Sequence, residues 1–144
     1  MPARPDGRIV VGVDGSPLSR EALRWAARLS AVTGGPLEAV TVWEFPALLG
    51  RDGLVPPPLD GFEPEGRAAA VLDECLAAAL SPGTAVRRRL PAGRPGPALV
   101  AVAAGATALV VGSRGRSAPP GAPLGTVALH CVDHAPCTVI VVRE

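Results

Sequence analysis

Arg8-Ile-Val-Val-Gly-Val13 is an apolar run with no polar alternation along it. A strand of that kind has no face to give to water, so it belongs inside a sheet covered on both sides. Leu37–Trp43, Thr84–Leu90, Thr107–Val111 and Thr138–Val142 read as further strands, and helical patterns fill the gaps between them. Leu18, Ala22, Trp25, Leu29 and Val32 keep helical spacing, while Arg20, Arg24 and Arg28 lie on another face. An alanine-rich helix follows over about Glu65–Leu80, a short one over Pro97–Gly105 and a last one over Thr126–Asp133. Alternation of strand and helix predicts an α/β fold: a single doubly wound domain with a parallel sheet, right-handed crossovers and helices on both faces. Residues 1–6 read as a flexible tail and 7–144 as the domain. In such sheets ligands lie beyond the carboxyl ends of the strands, where the strand order reverses.

The punctuation agrees with that order. Ser16 stands as an N-cap with Pro17 at the first helical position, and Gly34-Gly35-Pro36 ends the helix. Ser81-Pro82-Gly83 and Pro136 close two later helices. Glu44 to Gly66 is rich in proline and glycine and has no period, which predicts a long surface loop, mobile without ligand and a candidate lid.

Composition removes several functions. The chain of 144 residues suits one domain, and its net charge of +1 argues against a nucleic-acid or anionic-membrane partner. No run of apolar residues is long enough to span a membrane, and the opening residues lack a signal-peptide pattern. Three cysteines without framework spacing add to the expectation of a cytoplasmic protein. All 14 basic residues are arginine. Without lysine there is no Walker-type phosphate loop and no Schiff-base chemistry. His130 and His134 read as helix-end packing rather than a metal site, and Arg87-Arg88-Arg89 as an exposed edge strand. Trp25 and Trp43 read as core or interface residues. No catalytic residue presents itself: there is no Ser–His–Asp order and no acid/base carboxylate pair.

The segment Val110 to Leu129, VVGSRGRSAPPGAPLGTVAL, carries the functional signal. Gly112, Gly115 and Gly125 are separated by two and nine residues, and Thr126 follows. Gly112 ends a buried strand, where a missing Cβ lets backbone approach a ligand. Gly125-Thr126 opens a helix, whose free N–H groups and positive dipole end suit phosphate. Arg114 and Arg116 add charge to this anion cradle. Asp14, at the carboxyl end of the first strand, is placed for a ligand, with an Asx turn as its structural alternative.

At these residues the chain resembles the universal stress protein family, and specifically its ATP-binding branch, whose pattern is Gly, two residues, Gly, nine residues, Gly, then Ser or Thr. IVVGVDGSPLSREALRWAARLS looks like the opening strand and helix of that family, VVGSRGR like its fourth strand and loop, and HAPCTVIVVR like its ending. The resemblance implies a five-stranded parallel sheet in the order 3-2-1-4-5. It implies that Asp14 contacts the nucleoside, that Val42 meets adenine through its backbone, and that Gly112, Gly115, Gly125, Thr126 and Val127 line the phosphates. Gly12, Val111 and Arg114 complete the nucleotide-binding set. The ligand implied is ATP, with Mg2+ as its companion ion, and the assembly a homodimer through Thr138 to Val142. The function implied is that of a nucleotide-responsive regulator in stress response, with at most slow ATP hydrolysis. A nucleotide hydrolase or transferase of related fold, and a dimerising interaction module without nucleotide, stand as alternatives. Two departures from the family's pattern are the proline-rich stretch Ser117 to Leu124 and Thr107 in place of an acidic residue.

Overall fold

A computed structural model describes residues 4–44, 63–115 and 123–144. Strand and helix alternate throughout: β1 (Ile9–Gly12), α1 (Pro17–Thr33), β2 (Leu37–Val40), α2 (Pro64–Ala79), β3 (Arg87–Arg89), α3 (Pro95–Val102), β4 (Ala108–Gly112), α4 (Thr126–His134) and β5 (Thr138–Val142). The strands make one parallel sheet in the order β3-β2-β1-β4-β5. The chain winds outward from β1 in one direction and from β4 in the other, so the switch point lies between these two neighbours.

The expected two-sided burial follows from the pleat, which turns successive side chains to opposite faces. Ile9, Val11, Val13, Ala108 and Val110 pack with Leu23 and Ala26 of α1 and Leu72 and Cys75 of α2. Val10, Val40, Leu109 and Val111 pack with Leu99 and Val102 of α3 and Ala128 and Cys131 of α4. Each fully buried aliphatic side chain contributes about 1.5–3 kcal/mol against leaving it in water. Burial pushes the Cys131 thiol up to about 11, with the neighbouring Cys137 adding to the effect.

Helix α1 starts and stops where the sequence says. Ser16 Oγ accepts from Ser19 N–H at 3.1 Å, and left-handed Gly34 (φ 76°) donates its N–H to Ser30 O. Gly35 has no alternative, because a Cβ there would fall 1.9 Å from Gly7 O. Other boundaries differ from the expectations. β2 stops at Val40 rather than Trp43, and its pairing with the β3 segment resumes as a bridge between Trp43 and Ala92. β3 shrinks to Arg87–Arg89, exposed along its length. α3 begins at Pro95 and ends at Val102, where Arg8 donates to Val102 O at 2.9 Å and to Ala104 O at 2.7 Å.

The same arginine meets Glu38, buried in β2 at 1% exposure, whose carboxylate also accepts from Arg89 at 2.9 Å. Asp6, assigned by sequence to the tail, donates its N–H to Gly105 O, and its carboxylate takes the Arg8 side chain at 2.8 Å. Trp25 is about half exposed, with the Arg28 guanidinium over its ring. The expected lid, Glu44 to Gly66, falls mostly on residues 45–62, outside the described residues; α2 already begins at Pro64. Among the described residues no helix is long and apolar enough to cross a membrane.

Candidate functional site

Beyond the carboxyl ends of β1, β2 and β4 the chain leaves a cleft of about 480 Å³, within the usual size of small-molecule sites. Its walls combine strand ends with the N-terminal parts of all four helices. Gly12, Asp14, Val42, Val111, Gly112, Arg114, Gly115, Gly125, Thr126 and Val127 all line it, so the structure brings the whole sequence-derived set to one place. Arg116 and most of the proline-rich stretch lie outside the described residues.

One half of the cleft is apolar, formed by Val40, Val42, Pro95, Leu99, Val111 and Val127. The end of β2 gives this half its polar edge. Thr41 N–H and Trp43 N–H donate to Arg89 O and Pro91 O, on the β3 side. By the two-residue alternation of a strand, Val42 turns its N–H and C=O the opposite way, toward β1, which has already ended. A longer β1–β2 ladder would offer Val13 O to the Val42 N–H. The Thr41 hydroxyl takes that carbonyl instead, at 2.9 Å. Val42 thus presents a backbone donor and an acceptor to the cleft, which suits the edge of a heterocyclic base.

The other half is formed by the turn after β4 and the start of α4. The two helix starts on either side of the switch point are finished differently. At α1, Asp14 Oδ1 accepts from Ser16 N–H at 2.9 Å and Ser16 Oγ from Ser19 N–H, so side chains answer the first donors. At α4 the N-cap is Gly125, with no side chain to offer. The N–H groups that open α4 therefore face the cleft with the positive end of the helix dipole. Gly125 N–H donates to Ser113 O at 2.7 Å, which holds the turn after β4 against the helix start. Asp14 adopts the Asx turn foreseen as its structural alternative through Oδ1, while Oδ2 lies 2.6 Å from where a Cβ on Gly115 would stand.

The glycines also have a structural reason within the protein. A Cβ on Gly112 would come within 3.1 Å of Leu18, one on Gly12 within 2.9 Å of Leu99, and one on Gly125 within 3.3 Å of the Arg114 Cα. Their missing Cβ atoms make room for these protein neighbours. The cradle keeps its shape because helix and turn pack without side chains between them. Sequence reasoning also missed cleft residues that carry no motif. Trp43, expected in core or interface, lines the cleft with its indole Nε1–H anchored on Leu90 O at 2.8 Å. Arg67 lines it from α2. Nothing local signals either, because both depend on where α2 and β3 settle. His130 and His134 stack at 4.4 Å on α4, away from the cleft lining, and among the described residues no three metal-ligating groups gather.

Comparison with known proteins gives this arrangement its relatives. The family model described as the universal stress protein family matches residues 7–143. A universal stress protein of Mycobacterium tuberculosis is 33% identical over 145 residues, covering 99% of this chain and 46% of its own length. The chain thus spans about half the length of the curated relatives it matches. A solved universal stress protein in complex with cAMP is 28% identical with a TM-score of 0.65, covering 96% of this chain and 97% of that one. The universal stress protein of Lactobacillus plantarum, 24% identical with a TM-score of 0.69 and covering 98% and 99% of the two chains, shares the fold. By its sheet order, by its glycine-framed switch point and by a family match over nearly its whole length, the chain belongs to the universal stress protein family.

Proposed function

We propose that the cleft binds an adenine nucleotide, foremost ATP, and that the chain serves as a nucleotide-responsive regulator of the stress response in the cytoplasm. The observation that carries this reading is the division of one cleft into an apolar slot edged by the Val42 backbone and an anion end at the uncapped start of α4. Base and phosphate need these two surfaces at once. The structural relative in complex with cAMP supports an adenine ligand at 28% identity. Asp14 would contact the nucleoside, and Gly112, Gly115, Gly125, Thr126 and Val127 the phosphates, with Arg114 beside them. Mg2+ would come held on the phosphate oxygens. The role is that of a binding module, whose occupied and empty states differ in the surface they offer a partner protein. Mass spectrometry of ligand released from freshly purified protein, followed by calorimetry with ATP, ADP, AMP and cAMP with and without Mg2+, tests it. Co-purifying adenine nucleotide and saturable ATP binding are expected; a protein that binds none of the four overturns the reading.

A further inference from the structure

One wall of the cleft, made by α2, holds no residue of the glycine pattern and no strand end. Pro64, Arg67, Ala68 and Val71 form that wall, at the spacing of one helical face. Ala68 is buried at 7% exposure and Val71 packs against the core, which fixes the rotation of α2 and brings Arg67 to the rim. Arg67 closes the first turn of α2, where the helix dipole already supplies positive charge and an acidic residue such as Glu65 is the stabilising choice. A cation at that place runs against the local preference of the helix. Such a conflict between local preference and sequence is expected where a residue serves a site. Across the cleft stand Arg114 and the uncapped N–H groups of α4, so positive groups face the same space from opposite walls.

We propose that Arg67 is a phosphate-binding residue that closes on the nucleotide from the wall opposite α4 and selects ligands with a phosphate chain over bare nucleosides. The inference rests on the nucleotide reading above and adds a residue to it. The guanidinium is always charged, and its planar fork of N–H donors fits two phosphate oxygens at once. Asp14 and Glu44 line the same cleft, so the competing role for Arg67 is to hold those carboxylates and the shape of the empty site.

Calorimetry on the whole chain with ATP, AMP and adenosine separates the two roles. Arg67 is exposed, so Arg67→Ala leaves the core untouched. The expected result is a loss of ATP affinity of roughly 10- to 100-fold, the scale of one charge-assisted hydrogen-bond pair, with adenosine affinity unchanged. Arg67→Lys keeps the charge without the fork, and its ATP affinity should fall between the two. Equal losses for ATP and adenosine would assign Arg67 to the shape of the cleft and overturn the proposal. Wild-type ATP affinity in Arg67→Ala would overturn it too, leaving the nucleotide reading in place. A wild-type protein that binds none of the three ligands brings down that reading and this inference together.

Discussion

Thr41 stands where the β1–β2 ladder ends. Its hydroxyl donates to Val13 O, the carbonyl that a longer ladder would offer to the Val42 N–H. A Thr41→Val substitution keeps the shape of the side chain but removes the donor. Val13 O is then open to the Val42 N–H, and the ladder closes by one more bond. Because one hydrogen bond replaces another, stability should change by less than about 1 kcal/mol. Nucleotide affinity should fall by about tenfold, as the base loses one backbone partner. Amide exchange read by NMR checks the mechanism: the Val42 N–H, quick to exchange in the empty wild type, should slow in the variant. Asp14 and Gly112 were legible because each stands at a strand end that the apolar pattern locates, Gly125 because it opens a helix, and Val42 only through the resemblance to the family. Thr41 was not, since its effect depends on the register of β2 against β1. Arg67 and Trp43 escaped for a related reason, as long-range packing alone carries them to the cleft.

Helix starts are the elements on which the functional reading turns. Ser16 and Pro17 announced the start of α1 in the sequence, and both occupy the expected positions. Gly125-Thr126 announced that of α4 equally well, and the contrast between a capped and an uncapped start follows from residue type. Ser16→Ala should cost about 1 kcal/mol of stability, seen as a lower denaturation midpoint. Saturating ATP should slow amide exchange at Thr126, Val127 and Ala128 while leaving the already answered Ser19 amide near its unliganded rate. Equal protection at both helices would place the anion elsewhere. α3 was harder to read. Pro97 looked like its first residue, yet Pro95 takes that role and Pro97 still falls in the first turn, where a missing N–H costs nothing. Its C-terminal end is held by Arg8, far away in the chain, and no local signal could encode that.

At the scale of the molecule, the two sheet edges are unlike. β3 exposes Arg87, Arg88 and Arg89, and such charges discourage another strand from pairing there. β5 offers Thr-Val-Ile-Val-Val, half-buried over Val139, Ile140 and Val141. Leu129 and Val132 on α4 are about half exposed, adding apolar surface from the helix that precedes this strand. We propose that two copies pair through β5 about a two-fold axis, which would occupy the free backbone groups of that edge. Sedimentation should give a dimer for the wild type and a monomer for Val139→Lys or Ile140→Lys; a dimer in both variants would move the contact to another face. The sheet order has a further consequence for how the molecule comes into being. β1 is paired on one side with β2, which follows it closely, and on the other with β4, where Ile9 lies beside Ala108. The cleft at the seam between β1 and β4 therefore cannot exist until the two halves of the chain have met. Closing so long a loop comes late in folding and slows it. A ligand of that seam recognises only the finished molecule, so it restrains unfolding and does nothing to guide the early chain.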